Sequence, residues 1–402
     1  MITKTTGYHV GQLIDGSGNP AIENRIVCVA DGRIQQIVER SQAVDPEMEI
    51  VDLSDCTVFP ALIDAHVHLV MSGTTQAAHR KNQLNSGYGE RKRIIAEHVR
   101  QHLECGVLGV RDGGDNRGDT LRYKVETTGS CDSGVTIASA GRGRNARGRY
   151  GKLIAIPVEE GITLAQSAFD AGTPRDHLKI VNSGLNSLTQ FGVETPPQFE
   201  KEELAAAITE AKRRGQPSMV HANGRTPVKF AIDAGCDSIE HGFFMGEENM
   251  RRMADAGVTW VPTAVTMKAY INYLKRQGHR SDASFGEISG RNLEHQLAQI
   301  DAAKRLGVTI ALGTDAGSPG VHHGLSVKEE LELFVAAGLR VEEAIRCATR
   351  NGALLMGLDD RGKIAPGMRA DMMAVCAPVE KLPHALHQIV GRIVAGRYSG
   401  RI

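Results

Sequence analysis

One phrase recurs through the middle of the chain and restricts the fold more than any other feature. A helical stretch closes on glycine and an apolar strand follows at once: HLECGVLGVRD, AKRRGQPSMVHA, AIDAGCDSIEH, MADAGVTWVPT and AAKRLGVTIALGTD. Glycine just past a helix supplies the left-handed residue that ends it, and a short loop then feeds the strand. The strands are apolar on both faces, as in a parallel sheet covered by helices. Eight of them are expected, at 62–68, 106–112, 134–140, 177–182, 217–221, 237–241, 258–263 and 308–314. Alternation of strand and helix through eight units predicts an α/β chain folded as a (β/α)8 TIM barrel. An open doubly wound sheet would want a glycine-rich phosphate loop after the first strand, and DAHVHLVMSG is not one.

The flanks read differently. Residues 1–57 and 360–402 alternate short β runs with turns, and Asp31-Gly32 between two apolar runs is a hairpin signal. Neither flank carries enough apolar surface to stand alone, so together they predict a small β-sandwich domain built from both termini. The barrel is then expected over 58–359. The 47 basic and 47 acidic residues cancel, which leaves no global field for nucleic acid or an anionic membrane. No apolar run approaches the ~20 residues that span a bilayer, and the first residues do not read as a signal peptide. Seven scattered cysteines include no C-x-x-C pair, so neither a thiolate zinc site nor a disulfide framework is indicated, and a cytoplasmic protein is expected. A homo-oligomer is compatible with the sequence, which carries no information on interfaces.

The residues that can do chemistry sit at the expected strand ends. His66 and His68, in LIDAHVHL, are two apart, so on a strand both imidazoles point to the same side. Two histidines alone often cap a polar strand end without binding anything. The fifth strand, however, ends on His221, the sixth on His241 and the eighth on Asp315. Active-site groups of such barrels come from the C-terminal ends of separate strands, and four histidines with an aspartate there predict a metal site.

Lys179 is the odd residue. It stands inside the apolar run RDHLKIVNSG, on the expected fourth strand. One reading is a buried ion pair with Asp112 or Asp315. The other uses the free amine: burial near two cations lowers its pKa from ~10.4, and an unprotonated amine captures carbon dioxide as a carbamate able to bridge two metal ions. The surrounding histidines favour the carbamate.

H-x-H, a strand-four lysine, two single histidines and a terminal aspartate, in that order, resemble the amidohydrolase superfamily. The likeness covers almost the whole chain, including the closing GKIAPGMRADMMAV, and GVLGVRDGG, SIEHG and ALGTDAG are most similar to the Xaa-Pro dipeptidase, carboxypeptidase and imidazolonepropionase-like group. The resemblance implies a binuclear zinc site, with His66, His68 and Asp315 on one ion, His221 and His241 on the other, and carboxylated Lys179 bridging. Manganese, iron or cobalt would fit the same donors. It also implies hydrolysis of a C–N bond by a metal-bridging hydroxide, with Asp315 as proton shuttle. Two stretches depart from the dipeptidases: SAGRGRNARGRYGKLIA after the third strand and HANG after the fifth.

The first departure holds Arg142, Arg144, Arg147, Arg149 and Lys152 in a glycine-rich loop, residues 141–152. Guanidinium forks suit a carboxylate, so Arg144, Arg149 and Tyr150, with His323 from GSPGVHHG, are the expected substrate-binding residues; a solvated loop is the plain alternative. The favoured substrate is a small molecule with a free carboxylate, an N-acyl amino acid or dipeptide. A cyclic amide or small xenobiotic amide or carbamate is the second reading, and a barrel that has lost catalysis and serves as a scaffold the third.

Overall fold

The computed structural model describes residues 5–42, 48–128, 134–169, 175–276 and 283–400. Cys131 lies outside them. The chain is a mixed α/β fold with parallel sheets. Four strands open it, β1 (Thr6–Leu13), β2 (Ile22–Ala30), β3 (Arg33–Glu39) and β4 (Glu49–Pro60). The central strands are β5 (Leu62–Val67), β6 (Val107–Asp112), β7 (Thr136–Ser139), β8 (Gly143–Asn145) and β9 (Ala155–Pro157). They continue with β10 (Leu178–Val181), β11 (Ser218–Ala222), β12 (Ser238–His241) and β13 (Thr259–Val261). Three strands close the chain, β14 (Met372–Val375), β15 (Ile389–Val394) and β16 (Arg397–Gly400).

Both flanks come together in a single seven-stranded sheet, in the order β16-β15-β14-β4-β1-β2-β3. The Asp31-Gly32 turn joins β2 to β3 with φ of 51° and 72°, the left-handed pair that a two-residue hairpin needs. Tyr8, Val10, Val27, Val58, Met372 and Ile393 bury a separate apolar cluster there, so each terminus covers what the other cannot. β4 then runs through Pro60 directly into β5, which ties this sheet to the root of the first central strand.

The central strands form two parallel sheets, β5-β6-β7 and β13-β12-β11-β10-β8-β9. Seven of the eight expected strands are present. The eighth, 308–314, makes a single bridge, Ile310 to Trp260, yet its backbone joins the two sheets: Ala311 N–H donates to Trp260 O at 2.9 Å and Ala65 N–H to Leu312 O at 2.8 Å. At the other side β8 takes the place beside β10, with Arg144 opposite Ile180, so the described strands do not form a closed ring. The first residues of 141–152 are thus a buried strand rather than a solvated loop.

Helices cover the sheets as their patterning requires. Lys201–Arg213 buries Leu204, Ala207, Ile208 and Ala211, carries Glu202 and Glu203 in its first turn, and ends on Lys212 and Arg213. That spacing makes one apolar face, and the charges oppose the helix dipole at both ends. Among the described residues no helix is long and apolar enough to cross a membrane.

Candidate metal centre

Strand ends bring His66, His68, His221, His241, Asp315 and Lys179 toward one mouth. The rings of His66 and His241 are 5.0 Å apart, those of His221 and His241 4.5 Å, and those of His66 and His68 5.4 Å. Asp315 Oδ1 lies 3.6 Å from His66 Nε2 and 3.5 Å from His68 Nε2. One ligand atom from each of these three residues falls within 4.8 Å of the others, a grouping able to hold a metal ion.

The partners of each ring decide which nitrogen is left over. His68 Nδ1–H donates to Gly114 O at 2.9 Å and His221 Nε2–H donates to Gly184 O at 3.2 Å, since a carbonyl can only accept. His66 Nδ1 meets Glu240 Oε2 at 2.7 Å, and His241 Nδ1 meets Thr263 Oγ1 at 2.7 Å. Orientation of the far nitrogen by a carbonyl or carboxylate is how ligating histidines are fixed in their tautomer. His66 Nε2 is buried with no hydrogen-bond partner. Burial pulls His68 and His221 down to about 3 and His66 and His241 well below the ordinary imidazole value, so all four rings are neutral and hold a lone pair.

Glu240 is itself anchored, with Arg111 Nη2 on Oε1 at 2.6 Å and Ser238 Oγ on the same oxygen at 2.5 Å. Asp64 accepts the backbone N–H of both His66 and Thr314 and so fixes the strand end that carries the histidine pair. Asp315 N–H donates to His66 O at 2.7 Å, and its Oδ2 accepts from Ser318 Oγ at 2.9 Å. Burial raises the Asp315 carboxyl to about 7. Asp315 and His241 hold φ of 59° and 68°, left-handed values that cost a non-glycine residue energy. The His241 carbonyl is held in that turn by Trp260 Nε1 at 3.0 Å and Gln296 Nε2 at 2.6 Å.

Lys179 is fully buried on β10 and its Nζ has no hydrogen-bond partner. Burial lowers its ammonium to about 8, while the carboxylates of Glu240 and Asp315 act the other way. Two glycines give these side chains room. A Cβ on Gly143 would stand 3.1 Å from Lys179 Cγ, and one on Gly113 would stand 2.7 Å from His68 Cε1.

Of the four expected substrate-binding residues, two are turned elsewhere. Arg144 is 1% exposed, and its guanidinium donates to Ser167 O at 2.8 Å and to Arg142 O at 2.7 Å. As part of β8 it braces the sheet. His323 is equally buried, donates from Nε2 to Met71 O at 2.8 Å, and stacks on His98 at 3.9 Å between centroids. Arg149 is exposed and donates to Pro196 O at 3.0 Å. Tyr150 is 41% exposed with its ring 5.3 Å from that of His221, at the rim of the site.

The sequence reading passed over Glu240, Arg111, Thr263 and Arg80. Arg80 donates to Ser72 O and Gly317 O, both at 2.6 Å. Burial lowers its pKa, and the neighbouring Asp315 and Tyr150 oppose that drop, which sets the guanidinium beside the mouth. Nothing in the polar stretch AAHRKNQLN distinguishes Arg80 from its neighbours. Glu240 had a signal, since it adjoins His241 at a strand end.

Comparison with known proteins agrees with this geometry. The family model described as "Amidohydrolase family" matches residues 170–396. An ochratoxinase of Aspergillus niger is 31% identical over 92% of this chain and 81% of its own. An imidazolonepropionase of Paracoccus denitrificans is 25% identical over 90% of this chain and 92% of its own. The crystal structure of a Xaa-Pro dipeptidase with bound methionine in the active site superposes with a TM-score of 0.80 at 26% identity, covering 99% of this chain and all of that one. The chain belongs to the amidohydrolase family.

Proposed function

We propose that this protein is a hydrolase that depends on two divalent metal ions and cleaves the amide bond of an N-acyl amino acid or dipeptide bearing a free carboxylate. The observation that carries the reading is the convergence of neutral histidines, Asp315 and an unpartnered buried lysine on one mouth. His66, His68 and Asp315 would hold one ion, and His221 and His241 the other. The Lys179 amine, with its proton loosened by burial, would add to carbon dioxide, releasing that proton and leaving a carbamate between the two. This donor set suits zinc. A pair of divalent ions in this place would supply Lewis acidity, bringing water toward a pKa of ~7 and polarising the scissile carbonyl.

The chain's own groups do the rest. Asp315, with one oxygen 3.5–3.6 Å from the His66 and His68 ring nitrogens and the other on Ser318, takes the proton of the attacking water and returns it to the leaving amine. Glu240, fixed by Arg111 and Ser238, holds the His66 ring in place. Arg80 and Tyr150 receive the substrate carboxylate, in place of Arg144 and His323, and Arg149 extends the rim. The parallel strands of 58–359 act as one (β/α)8 barrel, with the eighth strand reduced to its bridge, and 1–57 with 360–402 act as the composite β-sandwich domain.

The dipeptidase name of one structural relative points the same way. The imidazolonepropionase name of another relative favours a cyclic amide as the second reading. A panel of N-acyl amino acids, dipeptides and cyclic amides, assayed for released amine with zinc or manganese added, separates them. Turnover is expected on substrates with a free α-carboxylate and is lost when that carboxylate is amidated. Turnover confined to cyclic amides would favour the second reading, and none on any substrate with metal bound would favour the scaffold.

A further inference from the structure

We propose that Cys56 and Cys376 close into an internal disulfide when the protein meets hydrogen peroxide, stapling the first half of the terminal sheet to the second. The proposal is independent of the metal reading. Cys56 lies on β4 and Cys376 is the first residue past β14. These strands are antiparallel partners with Val375 opposite Thr57, so the next pair outward is Cys376 and Cys56. Their sulfurs stand 3.1 Å apart as thiols, against ~2.05 Å in a formed bond. Opposed residues of an antiparallel pair have Cα atoms about 4.5–5.5 Å apart, inside the window that a disulfide spans without backbone movement. The backbone is pinned on both sides of the pair, since Thr57 Oγ1 donates to Ala377 O at 2.6 Å and Ala377 N–H to Val375 O at 2.8 Å.

The two thiols differ in a way that orders the chemistry. Cys56 is 5% exposed and Cys376 is exposed. Burial raises the Cys56 thiol to about 12, so it does not react first. Cys376 Sγ attacks the peroxide, the O–O bond breaks, and its proton leaves with the departing oxygen as water, giving a sulfenic acid. Cys56 Sγ then attacks that sulfur, the S–O bond breaks, and the hydroxyl leaves with the Cys56 proton as a second water. Two electrons pass from two thiols to one peroxide. The closed ring joins residues 320 apart and encloses every candidate metal ligand. A closure of that length restricts the unfolded chain most strongly. No other pair among the described cysteines makes a sulfur–sulfur contact of this kind.

The test uses the full chain, treated with one equivalent of hydrogen peroxide, alkylated with iodoacetamide, digested and analysed by mass spectrometry without reduction. A peptide pair joining Cys56 to Cys376 and lighter by two hydrogens is expected, together with a melting temperature about 5 °C above that of the reduced protein. Dithiothreitol should reverse both. Cys376→Ser, an exposed change, should show neither, and Cys105→Ser should keep both. Recovery of Cys56 in its alkylated form while Cys376 carries a sulfinic acid would overturn the proposal. So would a cross-link that leaves the melting temperature where it was.

Discussion

Among the described residues two groups of buried histidines can be compared, and one of them includes a grouping with Asp315 able to hold a metal ion. His66, His68, His221 and His241 each place one ring nitrogen on a protein acceptor or hydroxyl, and Asp315 reaches two of them at 3.5–3.6 Å. His98, His102 and His323 also give one nitrogen each to a carbonyl, of Leu69, His98 and Met71. His102 Nε2 and His323 Nδ1 are buried without partners, just as His66 Nε2 is. The second group differs in geometry and charge. His98 and His323 stack at 24°, which turns their lone pairs along similar planes instead of toward one point. The nearest carboxylate, Asp64, stands 3.9 Å from His102 Nε2 and is already committed to Thr314 and the His66 backbone. Burial and an orphaned nitrogen therefore do not mark a metal centre. The first group is set apart by a carboxylate, Asp315, within 3.6 Å of two ring nitrogens, and by a buried amine without a hydrogen-bond partner.

The contrast yields outcomes of graded size. Asp315→Asn should lower kcat by about 10³-fold, the scale of a lost general acid–base group, with metal still bound. Steady-state kinetics beside metal analysis checks it, and unchanged turnover would remove Asp315 from the mechanism. Glu240→Gln keeps the shape but weakens the hold on His66, and should cost about 10–100-fold in metal affinity or activity. Titration of the apoprotein with zinc reads that loss directly. Arg80→Met should raise KM about tenfold for substrates with a free carboxylate and leave their kcat within a few-fold, since it removes one charge-assisted contact. Inhibition by an amidated analogue should differ little between the variant and the parent protein. His323→Leu is the smallest case, with kcat/KM held within about threefold and a Tm shift of a few degrees from altered packing. A large kinetic loss there would erase the distinction between the two histidine groups.

The parts that the sequence made legible are those where strand ends fix the position of a side chain. His66 and His68 share a face because a strand repeats every two residues, and glycine-terminated helices marked where each following strand began. The 143–145 strand escaped notice because glycine and arginine read as solvated loop. There Arg144 is buried, and the carbonyls of Ser167 and Arg142 accept from its guanidinium. Glu240 adjoins His241 at a strand end, but that signal is offset by alternation: adjacent residues of a strand should face opposite ways, and the left-handed turn at His241 lets both serve the mouth. Arg80 comes from a polar helix with no buried residue to give it a period. The Cys56–Cys376 pair spans 320 residues, and spacing carries no signal over such a distance.

The most direct measurement is the metal content of the purified protein beside that of Lys179→Met, by inductively coupled plasma mass spectrometry after exposure to zinc and bicarbonate. The account predicts about two ions per chain in the parent protein, the stoichiometry of a two-metal hydrolase, and one or fewer in the variant. No bound metal in the parent, or two ions retained without the lysine, would contradict it.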